Sequence, residues 1–113
     1  MPILNRTDLD GVTILRLEGG LSQVEVMQVE RAFRQATHRD GAAVVVDLSN
    51  VDFIATAAIA MFLEAAKLLK ESGGKIVVSG PQPKIGEVLR RLRLERVLPV
   101  FSTVDEGVAA VKK

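Results

Sequence analysis

Residues 44–54 read VVVDLSNVDFI, and the first part of this stretch decides the fold. From Ala43 to Leu48, only Asp47 interrupts a run of apolar residues. Both alternating faces of such a strand must be buried, which is typical of a central strand in a parallel sheet with helices on its faces. The stretch therefore predicts an α/β fold built around this strand.

A helix is predicted before this strand. Ser22 and Glu25 stand at the spacing of a capping box, in which each side chain accepts a hydrogen bond from the backbone N–H of the other residue. The helix is expected to end near residues 38–41. Its buried face is marked by apolar residues at helical spacing: Val26, Val29, Phe33 and Ala36.

A second helix is predicted after the strand, from about Thr56 to Ser72. Thr56 is expected to be its N-cap, because threonine is a favoured residue there. Gly73 and Gly74 supply the C-terminal stop. The buried side of this helix is expected to carry Ile59, Phe62, Leu63, Ala66 and Leu69.

The rest of the chain continues the alternation of strands and helices. Lys75 to Ser79 is a second buried strand, and Val100–Phe101 is a short last strand. Either Ser102 or Thr103 can cap a final helix. Between these strands lies a third helix, which is expected to point four apolar residues inward: Ile85, Val88, Leu89 and Leu92.

The N-terminal part is predicted to be a hairpin. Residues 12–17 alternate with a period of two, and residues 3–7 are a possible partner strand. Asp10 and Gly11 between them form a turn signal. The glycine pair 19–20 is interpreted as a further turn that ends the hairpin.

The predicted order is β-β-α-β-α-β-α-β-α over a single domain of residues 1–113. Strands that alternate with helices indicate a mostly parallel central sheet of about five strands, with about four helices and right-handed crossovers. The fold class is therefore α/β.

Composition excludes several classes of function. The net charge of +1 lacks the basic excess of a nucleic-acid-binding protein, and there is no Trp or Tyr for base stacking. The absence of cysteine excludes disulfides and thiolate sites. Residues 1–6 do not resemble a signal peptide, and no apolar run approaches the roughly 20 residues of a membrane span. We expect a cytoplasmic protein without membrane insertion.

No catalytic, metal or cofactor site is predicted. His38 is the only histidine, and it stands in a polar helix-ending segment where a solvated surface role is expected. Asp47 and Asp52 lie near a strand end, where ligands often bind, but capping or turn roles are favoured. An enzyme with a nucleotide site near Asp47 and Thr56 is the alternative from another functional class.

One cluster of basic residues stands out, at positions 90, 91, 93 and 96, with Glu87 and Glu95 interleaved. The simpler interpretation is a solvated helix face with ion pairs within the helix. The functional interpretation is a surface patch that binds an acidic partner or a phosphate.

Residues 44–54 closely resemble the central strand and loop of STAS domains, a family that typically reads D-L-S-x-V-x-F-I-D-S-S-G-L. The resemblance extends over nearly the whole chain. Residues 17–21 resemble the family's turn into its first helix, residues 71–78 its passage from helix to Gly-Gly to strand, and residues 92–94 with 101–107 its closing segment.

The resemblance to bacterial anti-sigma-factor antagonists implies a regulatory protein rather than an enzyme. In these proteins the loop carries a phosphorylatable serine, and the partner is a kinase of the ATPase type that is itself the anti-sigma factor. Thr56 matches the serine. The family's Asp, second Ser and Gly are here Ala55, Ala57 and Ala58, and Ser22 replaces a further Asp.

The resemblance places the partner-binding surface at this loop and the first turns of the neighbouring helices. A monomer or weak dimer is expected. Two alternatives remain within the family: an accessory subunit that binds the ATPase of a phospholipid-transport ABC complex, or a scaffold protein of a signalling assembly. The candidate contact residues are Ser22, Asn50, Asp52, Ala55, Thr56, Ala57, Ala58, Ile59 and Met61.

Overall fold

The computed structural model describes residues 3–112 and confirms the α/β architecture. The strands are β1 (Ile3–Leu9), β2 (Val12–Leu21), β3 (Ala43–Ile54), β4 (Lys75–Ser79) and β5 (Val100–Phe101). The helices are α1 (Gln23–Thr37), α2 (Thr56–Glu71), α3 (Pro83–Arg91) and α4 (Val104–Val111). Within residues 3–112, no helix combines the length and the apolar character that crossing a bilayer requires.

The five strands form one sheet in chain order, β1-β2-β3-β4-β5. Only β1 and β2 are antiparallel, and the other three pairs are parallel. Asp10 and Gly11 make the hairpin turn with φ of 51° and 81°, as the Asp-Gly signal predicts. A mostly parallel sheet is thereby confirmed.

The central strand β3 is apolar on both sides because the sheet is covered on both faces. Val44 and Val46 pack in the large core beneath α1, α2 and α3, where the rings of Phe33 and Phe62 lie 5.5 Å apart. Val45 faces the opposite way, into a smaller core under α4. This helix approaches closely, since a Cβ on Gly107 would lie 3.2 Å from Val45 Cγ1.

β2 and β3 continue beyond the end of β4 as a two-stranded ribbon. Leu21 and Ile54 are the last register partners of the pair, whereas β4 pairs with β3 only as far as Asp47. The pairing of β2 with β3 shifts register between Gly19 and Gly20, and Gly19 has a φ of +95°. The predicted turn at 19–20 is therefore wrong, because the glycines accommodate an irregularity within a continuing strand.

The third helix buries less than predicted. Ile85 and Leu89 are buried one turn apart, as expected for residues at i and i+4. Val88 is 37% exposed and Leu92 is 51% exposed, which contradicts their predicted inward orientation. For Leu92, the reason is that α3 ends at Arg91, so Leu92 lies at the C-cap, where it leaves the buried face.

Gly74, between α2 and β4, lies against the backbone just before β3. A Cβ at this position would lie 2.5 Å from the carbonyl oxygen of Ala42 and 3.0 Å from its nitrogen. We expect Gly74→Ala to lower the free energy of unfolding by about 1–3 kcal/mol, because a backbone clash must be relieved. Urea denaturation measures the change.

The matched control is Gly86→Ala within α3, where the new methyl group would meet only Pro81 Cγ at 3.6 Å. Because this position has room and a helical backbone, the same change should stabilise the protein by about 0.5–1 kcal/mol. If both variants change the free energy of unfolding in the same direction, the close approach of Ala42 is not what disfavours a side chain at Gly74.

Candidate partner-binding site

The first turns of α1 and α2 lie side by side at the end of the β2–β3 ribbon. Leu21 and Ile54 are paired across the ribbon, and each is followed at once by the N-cap of a helix, Ser22 and Ala55. The backbone N–H of Ala55 donates to the carbonyl oxygen of Leu21 at 2.9 Å. The two helix starts are thus held in a fixed relation by the strands.

The start of α1 carries the predicted capping box. The Ser22 hydroxyl accepts the N–H of Glu25 at 3.3 Å, and the Glu25 carboxylate accepts the N–H of Ser22 at 3.3 Å. Hydrogen bonding of the Glu25 carboxylate by the Ser22 hydroxyl, and then by the Ser22 backbone N–H, lowers the pKa of Glu25. A carboxylate that accepts hydrogen bonds is stabilised in its charged form.

The start of α2 has no side-chain cap. Ala55 occupies the N-cap position with extended backbone, φ −95° and ψ 165°, and Thr56 is the first helical residue. The predicted capping role of Thr56 is therefore wrong, because its hydroxyl comes one residue too late for the N-cap position. No acidic residue stands in the first turn either, so the positive end of the helix dipole is not compensated locally.

The structure divides the predicted contact residues into two groups. The first lies at the surface: Asn50, Asp52 and Thr56 are exposed, and Ser22, Ala55 and Ala57 are half-buried. The second group, Ala58, Ile59 and Met61, is only 0%, 8% and 7% exposed.

Ala58 and Ile59 are thus buried rather than surface contacts, which corrects that part of the prediction, whereas Met61 is mostly buried but lines a groove between α1 and α2. In α2 the three residues share the core-facing side with Phe62 and Ala65, as expected from helical periodicity. They support the surface from below. A partner that binds the folded chain would meet Thr56 and Ala57 in the first turn of α2 instead.

Three exposed apolar residues were not predicted to belong to this surface. Val24 and Met27 on α1 are 66% and 70% exposed, and Phe53 on β3 is 51% exposed. Val24 and Met27 are apolar residues that fall outside the buried apolar stripe of α1. Their position in the sequence could therefore have identified them as exposed apolar residues. No such signal exists for Phe53, because the register shift between Val51 and Phe53 alters the alternation of faces.

A groove of about 310 Å³ runs between α1 and α2 beside this surface. Met27, Ala57 and Ala60 line its apolar part. Ion pairs stand along the two helices that form the groove: Arg34 contacts Glu30 at 2.8 Å and Glu64 at 3.2 Å. The site therefore combines one exposed hydroxyl with apolar side chains, which suits protein docking.

The residues weighed for an enzyme are not assembled into a site. Asp47 is buried on the α4 face of the sheet, where it contacts Arg16 at 3.1 Å and accepts the N–H of Ser49 at 3.0 Å. Thr56 begins α2 on the other face, so the two do not form one site. His38 lies at the C-cap of α1, at the opposite end of that helix from Ser22.

Comparisons with known proteins agree with this geometry. A sequence model of the STAS domain matches residues 4–107. A candidate anti-sigma factor antagonist of Bordetella bronchiseptica, BtrV, is 27% identical over 96% of this chain and 94% of its own length. The anti-sigma F factor antagonist of Paenibacillus polymyxa is 29% identical over 80% of this chain and 79% of its own.

A solved structure also matches. The crystal structure of an anti-sigma factor antagonist from Mycobacterium paratuberculosis superposes with a TM-score of 0.89 at 22% identity, covering 100% of this chain and 96% of that one. Similarity at this level of identity establishes the fold. It confirms the α/β arrangement on which the site is built.

A carboxylate introduced at Thr56 or at Ile59 should have opposite effects. Thr56→Glu places the charge at the uncapped start of α2, so we expect an increase of about 0.3–1 kcal/mol in the free energy of unfolding. Ile59→Glu, three residues later, buries an unpaired charge and should cost at least about 3 kcal/mol. Urea denaturation at pH 7 compares them. Equal effects would contradict the assignment of these two residues to surface and core.

The capping box should make stability depend on pH. The pKa of Glu25 is lowered in the folded chain from its ordinary value of 4.5. Its contribution is therefore present above that value and is lost as the pH falls through the lowered pKa. We expect Glu25→Gln to reduce the loss of stability on acidification, measured as urea midpoints between pH 7 and pH 3.

The reduction should be partial, because the pKa of Asp8 is also lowered, mainly by the hydrogen bond from the Thr13 hydroxyl. Glu95→Gln in the exposed segment after α3 is the matched control and should keep the wild-type pH profile. An unchanged profile for Glu25→Gln would show that the capping box does not contribute to acid sensitivity.

Proposed function

This chain belongs to the STAS domain family, and on that basis we propose that it is a regulatory protein-binding module that acts as an anti-sigma-factor antagonist. Two curated relatives that carry that function in their names support the proposal. We further propose that the partner is an anti-sigma factor of the kinase type, that binding takes place in the cytoplasm, and that Thr56 is the switch.

The observation that carries the proposal is the position of Thr56. Its side chain is exposed on the first turn of α2, next to the start of α1 and beside an apolar groove. An exposed hydroxyl on a docking surface can be reached by a kinase and, once modified, changes the surface that the partner meets.

Phosphorylation at this position would change the surface without unfolding the chain. A phosphate would add about −1.5 to −2 charges beside the free N–H groups at the start of α2, where the helix dipole favours an anion. Two carboxylates already lie beside Gly20 of the neighbouring ribbon. A Cβ built on Gly20 would be 3.0 Å from Glu25 Oε1 and 3.7 Å from Asp52 Oδ1. The phosphate would make this surface strongly negative and release a partner that binds the neutral form.

The departures from the family pattern are compatible with this switch. Ala58, at the family's glycine position, is fully buried, so its methyl group faces the core and leaves the docking surface unobstructed. Ala55, at the family's aspartate position, leaves α2 without a side-chain cap. A phosphate on Thr56 would therefore have no side-chain carboxylate at Ala55 competing for the first N–H groups of the helix.

The proposal is tested by affinity capture from the lysate of the native organism, with wild-type, Thr56→Ala and Thr56→Glu chains as baits. Mass spectrometry identifies the partners and examines Thr56 for phosphate. We expect a kinase-type ATPase with the wild-type and Ala baits, its loss with the Glu bait, and phosphothreonine in the native chain.

The control bait is Thr7→Glu, which makes the same substitution at an exposed threonine on β1 and should retain the partner. Capture of a transporter ATPase by all baits, with no phosphate at Thr56, would replace the proposal with the transport-accessory function. A nucleotide-hydrolysis assay on the purified chain accompanies the capture, and turnover by the chain itself would contradict a pure binding module.

A further inference from the structure

The two outer strands of the sheet differ greatly in length. β4 has five residues, but β5 has only two, which pair with Val78 and Ser79. Ile76 and Val77 of β4 therefore pair with β3 on one side and with no strand on the other, within the described part of the chain. The sheet has an open edge alongside the first half of β4.

The hydrogen bonds show which groups point to this open edge. Val78 donates its N–H outward to Pro99 O at 2.8 Å, whereas Lys75 donates inward to Ala42 O at 2.9 Å. Backbone groups alternate in direction along a strand, so the N–H and C=O of Ile76 point outward like those of Val78. No backbone partner for the N–H of Ile76 is found among residues 3–112.

A groove of about 700 Å³ lies along this edge, larger than the groove between α1 and α2. Ala66 on α2 lines one side of it and Ala110 on α4 the other, so it spans both faces of the sheet. Val97 and Pro99, in the segment that leads into β5, line it as well. The groove thus occupies the place where a longer β5 would lie.

All the charged side chains that line this groove are cations: Lys70, Lys75 and Arg96. No carboxylate of the described residues lines it. Lysine at a strand edge commonly prevents pairing with other neutral or basic edges. The same charges favour a segment that carries carboxylates, since opposite charges at a binding surface select the partner.

We propose that this edge is a second binding surface, which takes an extended acidic segment of a partner protein as an added strand beside β4. The backbone of the segment pairs with Ile76, and its carboxylates lie against Lys70 and Arg96, which is recognition by strand addition. Because side chains alternate between the two faces of a strand, the small apolar side chains of the segment lie on the face opposite the carboxylates, against Ala110. Lys70 stands about 21 Å along α2 from Thr56, so the two surfaces can be occupied together.

The test uses a fluorescein-labelled peptide of alternating Val and Glu, seven residues long, with the full-length chain. Fluorescence anisotropy gives the affinity, and ¹H–¹⁵N NMR locates the contact. We expect saturable binding and a large shift of the Ile76 amide resonance, with the Thr56 amide resonance unchanged. Lys70→Glu with Arg96→Glu should weaken binding at least tenfold.

The matched control is Lys67→Glu with Arg93→Glu, which makes the same change of charge at exposed positions outside the groove and should bind as the wild type does. Equal weakening by both double variants would overturn the proposal, as would equal binding of a peptide with Pro at the Val positions, since proline cannot donate to a strand. Tighter binding of oligothymidylate would also overturn it.

Failure here can be distinguished from failure of the antagonist function. The Lys70→Glu, Arg96→Glu chain should still capture the partner that depends on Thr56, because the two surfaces lie at opposite ends of α2. If this double variant loses that partner while the wild-type chain binds the peptide, the edge of β4 is not independent of the surface around Thr56. The proposal of a second surface is then wrong.

Discussion

The parallel pairing of β2 with β3 is the interaction on which the rest of the structure depends. Its central part is buried by α1, α2 and α3 on one face and by α4 on the other, so the first half of β3 can carry apolar residues on both faces. Its last part extends past β4 to Leu21 and Ile54, and the two helices that follow begin at adjacent positions. A single ladder of hydrogen bonds thus builds the core and also sets the spacing of the candidate docking surface.

The sequence was sufficient for the order of elements because each has a local cause. The capping box of Ser22 and Glu25, the Asp10–Gly11 turn and the two-sided apolar run of β3 each depend on neighbouring residues alone. Periodicity also identified most of the core. The family resemblance added Thr56, whose type and spacing alone indicated only a helix cap.

The errors occurred where distant contacts decide the local structure. Gly19 and Gly20 look like a turn in the sequence, but pairing with β3 keeps them in the strand. Thr56 looks like an N-cap, but α2 begins one residue earlier, with Ala55 at the N-cap and its N–H bonded to Leu21 of the neighbouring strand. Phe53 is exposed because of a register shift that only the paired strands reveal. Each case is a tertiary contact that overrides a local preference.

The missing cap of α2 has a consequence for motion. Helix ends open more readily than helix centres, and an end without a side-chain cap opens most readily. The amides of Thr56 and Ala57 should therefore exchange with solvent faster than those around Phe62, which are held by the core. The residue that a kinase would have to draw into an extended conformation lies in the part of α2 that unwinds at least cost, while the buried remainder of the helix keeps its place.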